Sequence, residues 1–380
     1  MTDELKEKME PSSPVSSDGR HGEKGCREGI GLCLSGGGFR AMLFHVGALW
    51  RLYDAGILGT VARVSGVSGG SIVTAFLGLQ WDSLFAKPGP CAAPDFKTLI
   101  VDPLLAFVDR TQGPHSVWTG LMAMLRRPTQ MLKAYDRLFQ GKTLQDLAPT
   151  PRFVLNATNL KTGRLWRFSK PYMADWLIGQ FQDPKVSLAL AVAASAGFPP
   201  VLSPIKLTVD AATIKPGSSP PGAAIPSTVY LADGGVYDNF GLETVWKNYR
   251  TVLVSDGGAP FDSAGTFSNR RLLQLLRVEN ILTDQIRAVR VIQLIDSYKS
   301  KLKQGAYWGI ATDIAGYGLS NALPFPRERA LALSQIPTGL CTLPKQDQHD
   351  LVRWGYAVCD ATLRKHYNPA LAAPKGFPPL

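Results

Sequence analysis

Val61-Ala62-Arg63-Val64-Ser65-Gly66-Val67-Ser68-Gly69-Gly70-Ser71 is the stretch whose reading decides the fold. Its apolar, β-branched start predicts a buried strand, the glycines end that strand, and Ser71 to Leu79 is helical in pattern. The same grammar lies upstream. Ile30-Gly31-Leu32-Cys33-Leu34 predicts a strand, Ser35-Gly36-Gly37-Gly38 stops it, and Phe39 to Leu58 turns helical. There Met42, Leu43, Val46, Leu49, Trp50 and Tyr53 recur at three- and four-residue spacing, with Gly56 near the stop. Two successive strand–glycine turn–helix units argue for an α/β layer architecture.

Working outward, Phe153 to Thr158 predicts a strand, Thr162-Gly163 a turn, and Leu165 to Phe168 its hairpin partner. Leu188 to Ala196 is a small-residue helix stopped by Gly197-Phe198-Pro199-Pro200. Residues 211 to 228 are a Pro/Ala/Gly/Ser-rich loop. Val229 to Ala232 is a strand into Asp233-Gly234-Gly235, and Thr251 to Val254 is a strand into Asp256-Gly257-Gly258. Arg270 to about Ala288 and His349 to His366 are helical. The expected organisation is a polar, disordered tail over 1–28 and a single domain over 29–370. Within it, 81–150 is a helical insert or lid and 261–370 a helical C-terminal region. In the insert, Trp118, Leu121, Met122, Leu125, Met131, Leu132 and Tyr135 alternate with Arg126, Arg127, Lys133 and Arg137. That pattern fits an ordinary packed helix pair or a basic amphipathic surface.

Composition narrows the class. With 45% hydrophobic and 19% charged residues, the 380-residue chain can build a sizeable core and is not mainly disordered. The net charge of +11 suits an anionic partner, a membrane surface or a nucleic acid, or serves solubility alone. Five cysteines without a C-x-x-C pair argue against a disulfide framework or a zinc ribbon and fit a reducing compartment. No apolar signal segment opens the chain and no long apolar run spans a bilayer, so any membrane contact is expected to be peripheral.

Gly66-Val67-Ser68-Gly69-Gly70 is a G-x-S-x-G between a predicted strand and a predicted helix. A tight strand-to-helix turn exposes a nucleophilic serine, and small flanking residues, Gly66 and Gly70, let backbone approach closely. Gly36-Gly37-Gly38-Phe39-Arg40 offers converging N–H groups for an anion, either a phosphate cradle or an oxyanion hole, with Arg40 as a further donor. It lacks the Lys-Ser/Thr of a P-loop and the last glycine of a dinucleotide fingerprint, where Ala41 stands. Asp233 and Asp256, each before two glycines at a strand end, are equivalent candidate bases by local rules. His349 has the right chain order for a Ser-acid-His triad but opens an amphipathic helix, and His45 lies on the helix after the glycine loop.

Together, Gly36-Gly37-Gly38-Phe39-Arg40, Gly66-Val67-Ser68-Gly69-Gly70 and Asp233-Gly234-Gly235 resemble the patatin-like phospholipase family. His45-Val46-Gly47-Ala48-Leu49, Ala157-Thr158-Asn159-Leu160, Ala194-Ser195-Ala196 and Asp238-Asn239 are similar to it too. The resemblance covers about residues 29 to 260; Ala41 and the position of His45 depart from the commonest pattern. It implies a three-layer α/β/α fold with a mostly parallel central sheet and a Ser68–Asp233 dyad without histidine. It also implies an oxyanion hole at the amides around Gly37 and Gly38, and it selects Asp233 because Val236-Tyr237-Asp238-Asn239 follows it. The implied activity is lipid acyl hydrolysis of phospholipids through an acyl-enzyme, in the cytoplasm or peripherally at a membrane. No metal, no cofactor and no nucleic acid are expected. The rivals are an α/β-hydrolase-type esterase using His349, a catalytically silent membrane-binding protein on the same fold, and an effector-gated lipase.

Overall fold

The computed structural model describes residues 27–86, 95–111, 129–200, 202–220, 222–261, 271–340 and 343–380. Strand β1 (Arg27–Leu34) leads into helix α1 (Gly38–Asp54), and β2 (Val61–Val67) into α2 (Gly69–Leu84). Helices α3 (Asp102–Arg110) and α4 (129–139) precede β3 (Arg152–Asn159), β4 (Arg164–Phe168), β5 (Tyr172–Asp175) and β6 (Gly179–Gln182). Then follow α5 (Leu188–Ser195), β7 (Ile205–Thr208), β8 (Thr228–Asp233), the short α6 (Gly235–Asp238) and α7 (Glu243–Trp246), and β9 (Tyr249–Asp256). The chain finishes with α8 (Arg271–Lys299), β10 (Gln304–Gly309), α9 (Arg327–Ser334) and α10 (Lys345–Thr362).

Hydrogen bonds order the sheet β10-β9-β1-β2-β3-β4-β5-β6, with β8 joined to β3 and β7 to β8. The strands from β10 to β3 are parallel, and the pairings from β3 onward to β4, β5, β6, β8 and β7 are antiparallel. Parallel strands are covered on both faces, which explains why β1 and β9 are apolar runs and not alternating ones. On one face Leu32 and Leu34 pack with Phe44, Leu49 and Leu77 of α1 and α2. On the other, Cys33, Val252 and Val254 pack with Val245 of α7 and Leu294 of α8. The result is the expected three-layer α/β/α arrangement.

Registers decide where the chemistry sits. Leu34 pairs with Gly66 and with Ser255, so β1, β2 and β9 end at one level. Along a single edge of β3, β2 pairs as far as Asn156 through Val67, and β8 takes over at Ala157 through Asp233. The ends of β2 and β8 therefore abut, with β3 as the shared ruler.

Several expectations are corrected here. The first strand starts at Arg27, inside the span read as tail; residues 1–26 lie outside the described residues. The C-terminal region is not only helical, because β10 adds a parallel edge strand to β9. Its sequence, Gln304-Gly305-Ala306-Tyr307-Trp308-Gly309, lacks β-branched residues and contains two glycines, which hides the strand. Helix α8 continues to Lys299, beyond the expected stop. Within the expected helical insert, positions 129–139 are helical, while the residues from Trp118 to Arg127 lie outside the described residues.

The C-terminal segment is part of the core. Helix α1 is buried from Gly38 to Leu52 because α10 covers its outer side. The two helices touch backbone to backbone: a Cβ on Gly47 would lie 1.9 Å from the Val352 carbonyl, and one on Gly355 would lie 1.9 Å from that of Phe44. A buried ion pair, Arg51 to Asp360 at 2.8 Å, reinforces the contact, and Arg364 shares the same carboxylate at 2.7 Å. Gly47→Ala, which in an exposed helix would stabilise, is expected to lower unfolding free energy by about 1–3 kcal/mol in urea titrations. Gly56→Ala is the companion control, since its space is open but its φ is +68°.

Candidate active site

Ser68 stands at the junction of β2 and α2 with φ 51° and ψ −118°, a positive-φ backbone that costs a non-glycine residue about 1–3 kcal/mol. Its surroundings hold it there. Its N–H donates to Ser195 Oγ at 3.0 Å; that hydroxyl donates to the Asn156 carbonyl at 2.5 Å and lies 2.6 Å from Ser71 Oγ. Gly66 and Gly70 have no room for a side chain: a Cβ would meet Thr74 Oγ1 at 2.4 Å and the Leu34 carbonyl at 2.2 Å.

Asp233, at the end of β8, is buried next to Ser68. Its Oδ1 accepts from the Gly235 N–H at 2.7 Å. Burial raises its carboxyl to about 6, against the Gly235 N–H and the neighbouring Ser68 hydroxyl, which favour the charged form, and the charge of Glu279 on α8 adds to the rise. Asp256 has the same local sequence and the opposite environment. Burial pushes its carboxyl up, but the Arg287 guanidinium at 2.6 Å, with the Tyr307 hydroxyl at 2.6 Å and the Gly258 N–H at 2.9 Å, holds it below the ordinary range. Asp256 is an ion-pair anchor with its oxygens occupied.

The glycine loop after β1 lies against the serine. A Cβ on Gly36 would sit 3.2 Å from Ser68 Cβ, and one on Gly69 would sit 2.2 Å from the Gly38 carbonyl. Gly37 and Gly38 have φ of 141° and 62°, a conformation that glycine supplies freely. Gly36 N–H donates to the Asn239 carbonyl at 3.0 Å and Phe39 N–H to that of Gly339 at 3.0 Å. Among the described residues, no hydrogen bond engages the N–H groups of Gly37 and Gly38. Two donors at the start of α1 are thus left for a ligand, where the helix dipole adds positive potential.

Arg40 lies beside the glycine loop, its Nη2 2.9 Å from where a Gly37 Cβ would sit, and it donates to other acceptors. It is buried, with Nε donating to the Gly257 carbonyl at 3.0 Å, one Nη to Thr338 Oγ1 at 3.0 Å and the other to the Ile336 carbonyl. Its guanidinium clamps the 336–338 segment to the loop after β9. Gly36 likewise contributes space and not a free donor. His45 is buried between Ser255 Oγ at 2.8 Å and the Ser35 carbonyl at 2.9 Å, and burial lowers it to about 4. The neutral ring donates through Nε2 to Ser35 and accepts at Nδ1. His349 lies at the first turn of α10, where its charge acts on Asp109 of α3. Among the described residues no histidine is hydrogen-bonded to Ser68 or Asp233, so the triad order of the sequence is not realised in space.

Three residues escape the motif reading. Ser195 and Asn156 support the strained serine; the clue to Ser195 is a lone hydroxyl closing a Leu/Ala helix. Tyr135 of α4 is fully buried, its hydroxyl has no partner among the described residues, and the Asp233 carboxylate is a charge that acts on it. Its ring packs beside Phe107, which in turn meets Phe39 next to the glycine loop. A separate surface cavity of about 440 Å³, lined by Leu319, Leu323 and Phe325 among others, contains none of these groups. Among the described residues no cluster of three His, Cys, Asp or Glu side chains is placed to hold a metal.

The family model of the patatin-like phospholipases matches residues 32–246, which span the glycine loop, Ser68 and Asp233. The chain belongs to the patatin-like phospholipase family. Among solved structures, human GIVD cytosolic phospholipase A2 is similar with a TM-score of 0.48 and 12% identity, over 95% of this chain and 61% of that one. The same human protein in complex with methyl γ-linolenyl fluorophosphonate gives 0.49 and 13%, over 87% and 57%. VipD from Legionella pneumophila gives 0.38 and 15%, over 90% and 68%. The chain thus spans about three fifths of the human protein's structure. No curated protein matches the sequence. The family match ends before β9, so the Asp256–Arg287 pair and the α10 cover of α1 lie outside it.

Native Asp233 titrates near 6, whereas an aspartate in an unfolded chain titrates near 4. Its contribution to stability is therefore full below about pH 4 and lost as the pH rises through 6. Asp233→Asn is expected to be more stable than wild type by about 3 kcal/mol above pH 7 and to converge with it below pH 4. Urea unfolding across that range reads the difference.

Proposed function

We propose that the protein is a phospholipase A-type lipid acyl hydrolase that works through Ser68 and Asp233 by way of an acyl-enzyme. Family membership supports hydrolysis of lipids. The observation that carries the finer reading is the meeting of a strained serine, the residue after Val67, with a raised carboxylate where β2 and β8 abut on β3, no cation among the described residues acting on that carboxylate. Asp233 takes the Ser68 proton as Ser68 Oγ attacks the ester carbonyl. The tetrahedral oxyanion forms beside the free N–H groups of Gly37 and Gly38, a term worth about 3 kcal/mol per donor. Collapse expels the lipid alcohol, which receives the proton from Asp233 and leaves the acyl group on Ser68. Asp233 then deprotonates a water, which attacks the acyl-enzyme; collapse breaks the bond between Ser68 Oγ and the acyl carbon, releases the fatty acid and returns the proton from Asp233 to Ser68 Oγ. The buried Tyr135 hydroxyl, on which the Asp233 carboxylate acts, serves the leaving oxygen.

The mechanism needs no histidine, metal or cofactor. Buried free thiols at Cys33 and Cys359 fit the cytoplasmic placement, and among the described residues no helix is long and apolar enough to cross a membrane. The substrate is a phospholipid met at a peripheral membrane surface.

Purified protein with mixed phospholipid vesicles is expected to release fatty acid, followed by mass spectrometry. Ser68→Ala and Asp233→Asn should each lose activity by about a thousand-fold or more, while His349→Ala stays within about two-fold. A fluorophosphonate should add mass at Ser68 in the wild type only. Equal loss in His349→Ala would sink the dyad. The wild-type rate should rise with pH on a limb near 6, because ionised Asp233 is the working form. Tyr135→Phe separates function from stability: turnover should drop about ten-fold, while unfolding free energy stays level or rises by about 1 kcal/mol. A loss of stability would refute the unpartnered hydroxyl.

A further inference from the structure

Helix α8 has two faces of different use. One is pinned to the sheet and to α6: Arg287 pairs with Asp256 at 2.6 Å, Arg290 with Asp238 at 3.6 Å, Leu294 is fully buried, and Tyr298 donates to the Val252 carbonyl at 2.7 Å. The opposite face carries Val278, Ile281, Leu282, Ile286, Val289 and Ile292, each between 41% and 60% exposed. At 1.5 Å per residue this stripe runs about 21 Å. Three- and four-residue steps keep it on one side of the helix. Val and Ile are indifferent helix formers, so helix propensity does not explain them, and a sustained exposed aliphatic face marks a contact surface.

The surroundings say what the contact is. The stripe begins next to Glu279, whose charge reaches Asp233. Helix α6, directly after Asp233, packs on α8 and exposes Val236. Arg164 of β4 and Arg290 of α8 both act on Tyr237 of α6, and Arg164 lies over the exposed Trp176 ring at 5.7 Å. Exposed Val236 and Trp176, with Arg164, thus flank the α6 side of the helix that carries the stripe, on a chain of net charge +11. Aliphatic side chains next to tryptophan and arginine match the layered chemistry of a bilayer interface, and the positive charge complements anionic headgroups.

We propose that the outer face of α8, with the Val236 and Trp176 rim, docks the protein on an anionic lipid bilayer. This rests on the lipid-hydrolase reading for its choice of occupant, since a lipid ester is delivered to Asp233 from the surface that this face meets. The test uses the full chain, with sucrose-loaded vesicles of phosphatidylcholine mixed with phosphatidylglycerol and of phosphatidylcholine alone. Wild type should sediment with the anionic vesicles and less with the neutral ones. Leu282→Asp combined with Val289→Asp should reduce that binding, and hydrolysis of vesicle phospholipid, by about ten-fold or more. Hydrolysis of a soluble short-chain ester should stay unchanged. Val289→Asp alone is the fallback where the double variant melts early by circular dichroism.

Vesicle binding that is equal in wild type and variant, or absent in wild type, overturns the proposal. So does a wild-type dimer in light scattering that the variant splits without changing vesicle binding, which would assign the face to a second copy. Vesicle binding lost in the variant, with no ester hydrolysis by either protein, would uphold the docking face and reject the hydrolase reading.

Discussion

The site depends on one shared strand edge. β3 offers the same side first to β2 and then to β8, and the handover falls between Asn156 and Ala157. Because hydrogen-bond registers are quantised, Ser68 and Asp233 have no freedom to drift apart without breaking a ladder. The other supports refer to that junction. Ser195 reads both sides of it, taking the Ser68 N–H and giving its proton to the Asn156 carbonyl. The Asp233-Gly234-Gly235 turn that closes β8 is equally confined: a Cβ on Gly234 would lie 2.3 Å from that carbonyl.

Electrostatics then divides two aspartates that local sequence leaves equal. Both end a strand, both precede two glycines and both are buried. Asp256 meets Arg287 and loses its basicity to an ion pair. Asp233 lies by a serine hydroxyl and an amide, among the described residues no cation offsets its desolvation, and it stays a stronger base. The partner that separates them is on α8, which also carries the exposed aliphatic face. One helix therefore anchors the structural aspartate on its inner side and presents apolar surface on its outer side.

Ser68 as candidate nucleophile and the two glycines with free N–H groups were legible because each needs small residues at a tight turn, whereas a carboxylate at a strand end marked Asp233 and Asp256 alike. Arg40 was not, since a guanidinium next to a glycine loop resembles an anion ligand until its acceptors, Gly257, Ile336 and Thr338, are brought in from distant segments. Strand β10 escaped because Gly305, Ala306 and Gly309 dilute the strand preference of Tyr307 and Trp308, and it pairs once β9 supplies an edge. Tyr135 reads as one more core aromatic in its helix; its unpartnered hydroxyl is a property of the assembled interior.

By itself the sequence determined the α/β class, the strand–turn–helix units and which residues have the chemistry for acyl transfer, because periodicity and turn stereochemistry act over a few neighbouring residues. Only the tertiary structure decided which aspartate is the stronger base, that His45 and His349 stand apart from Ser68, and that the C-terminal helix is part of the core. Those outcomes depend on desolvation and on partners far apart in the chain, which no local pattern encodes.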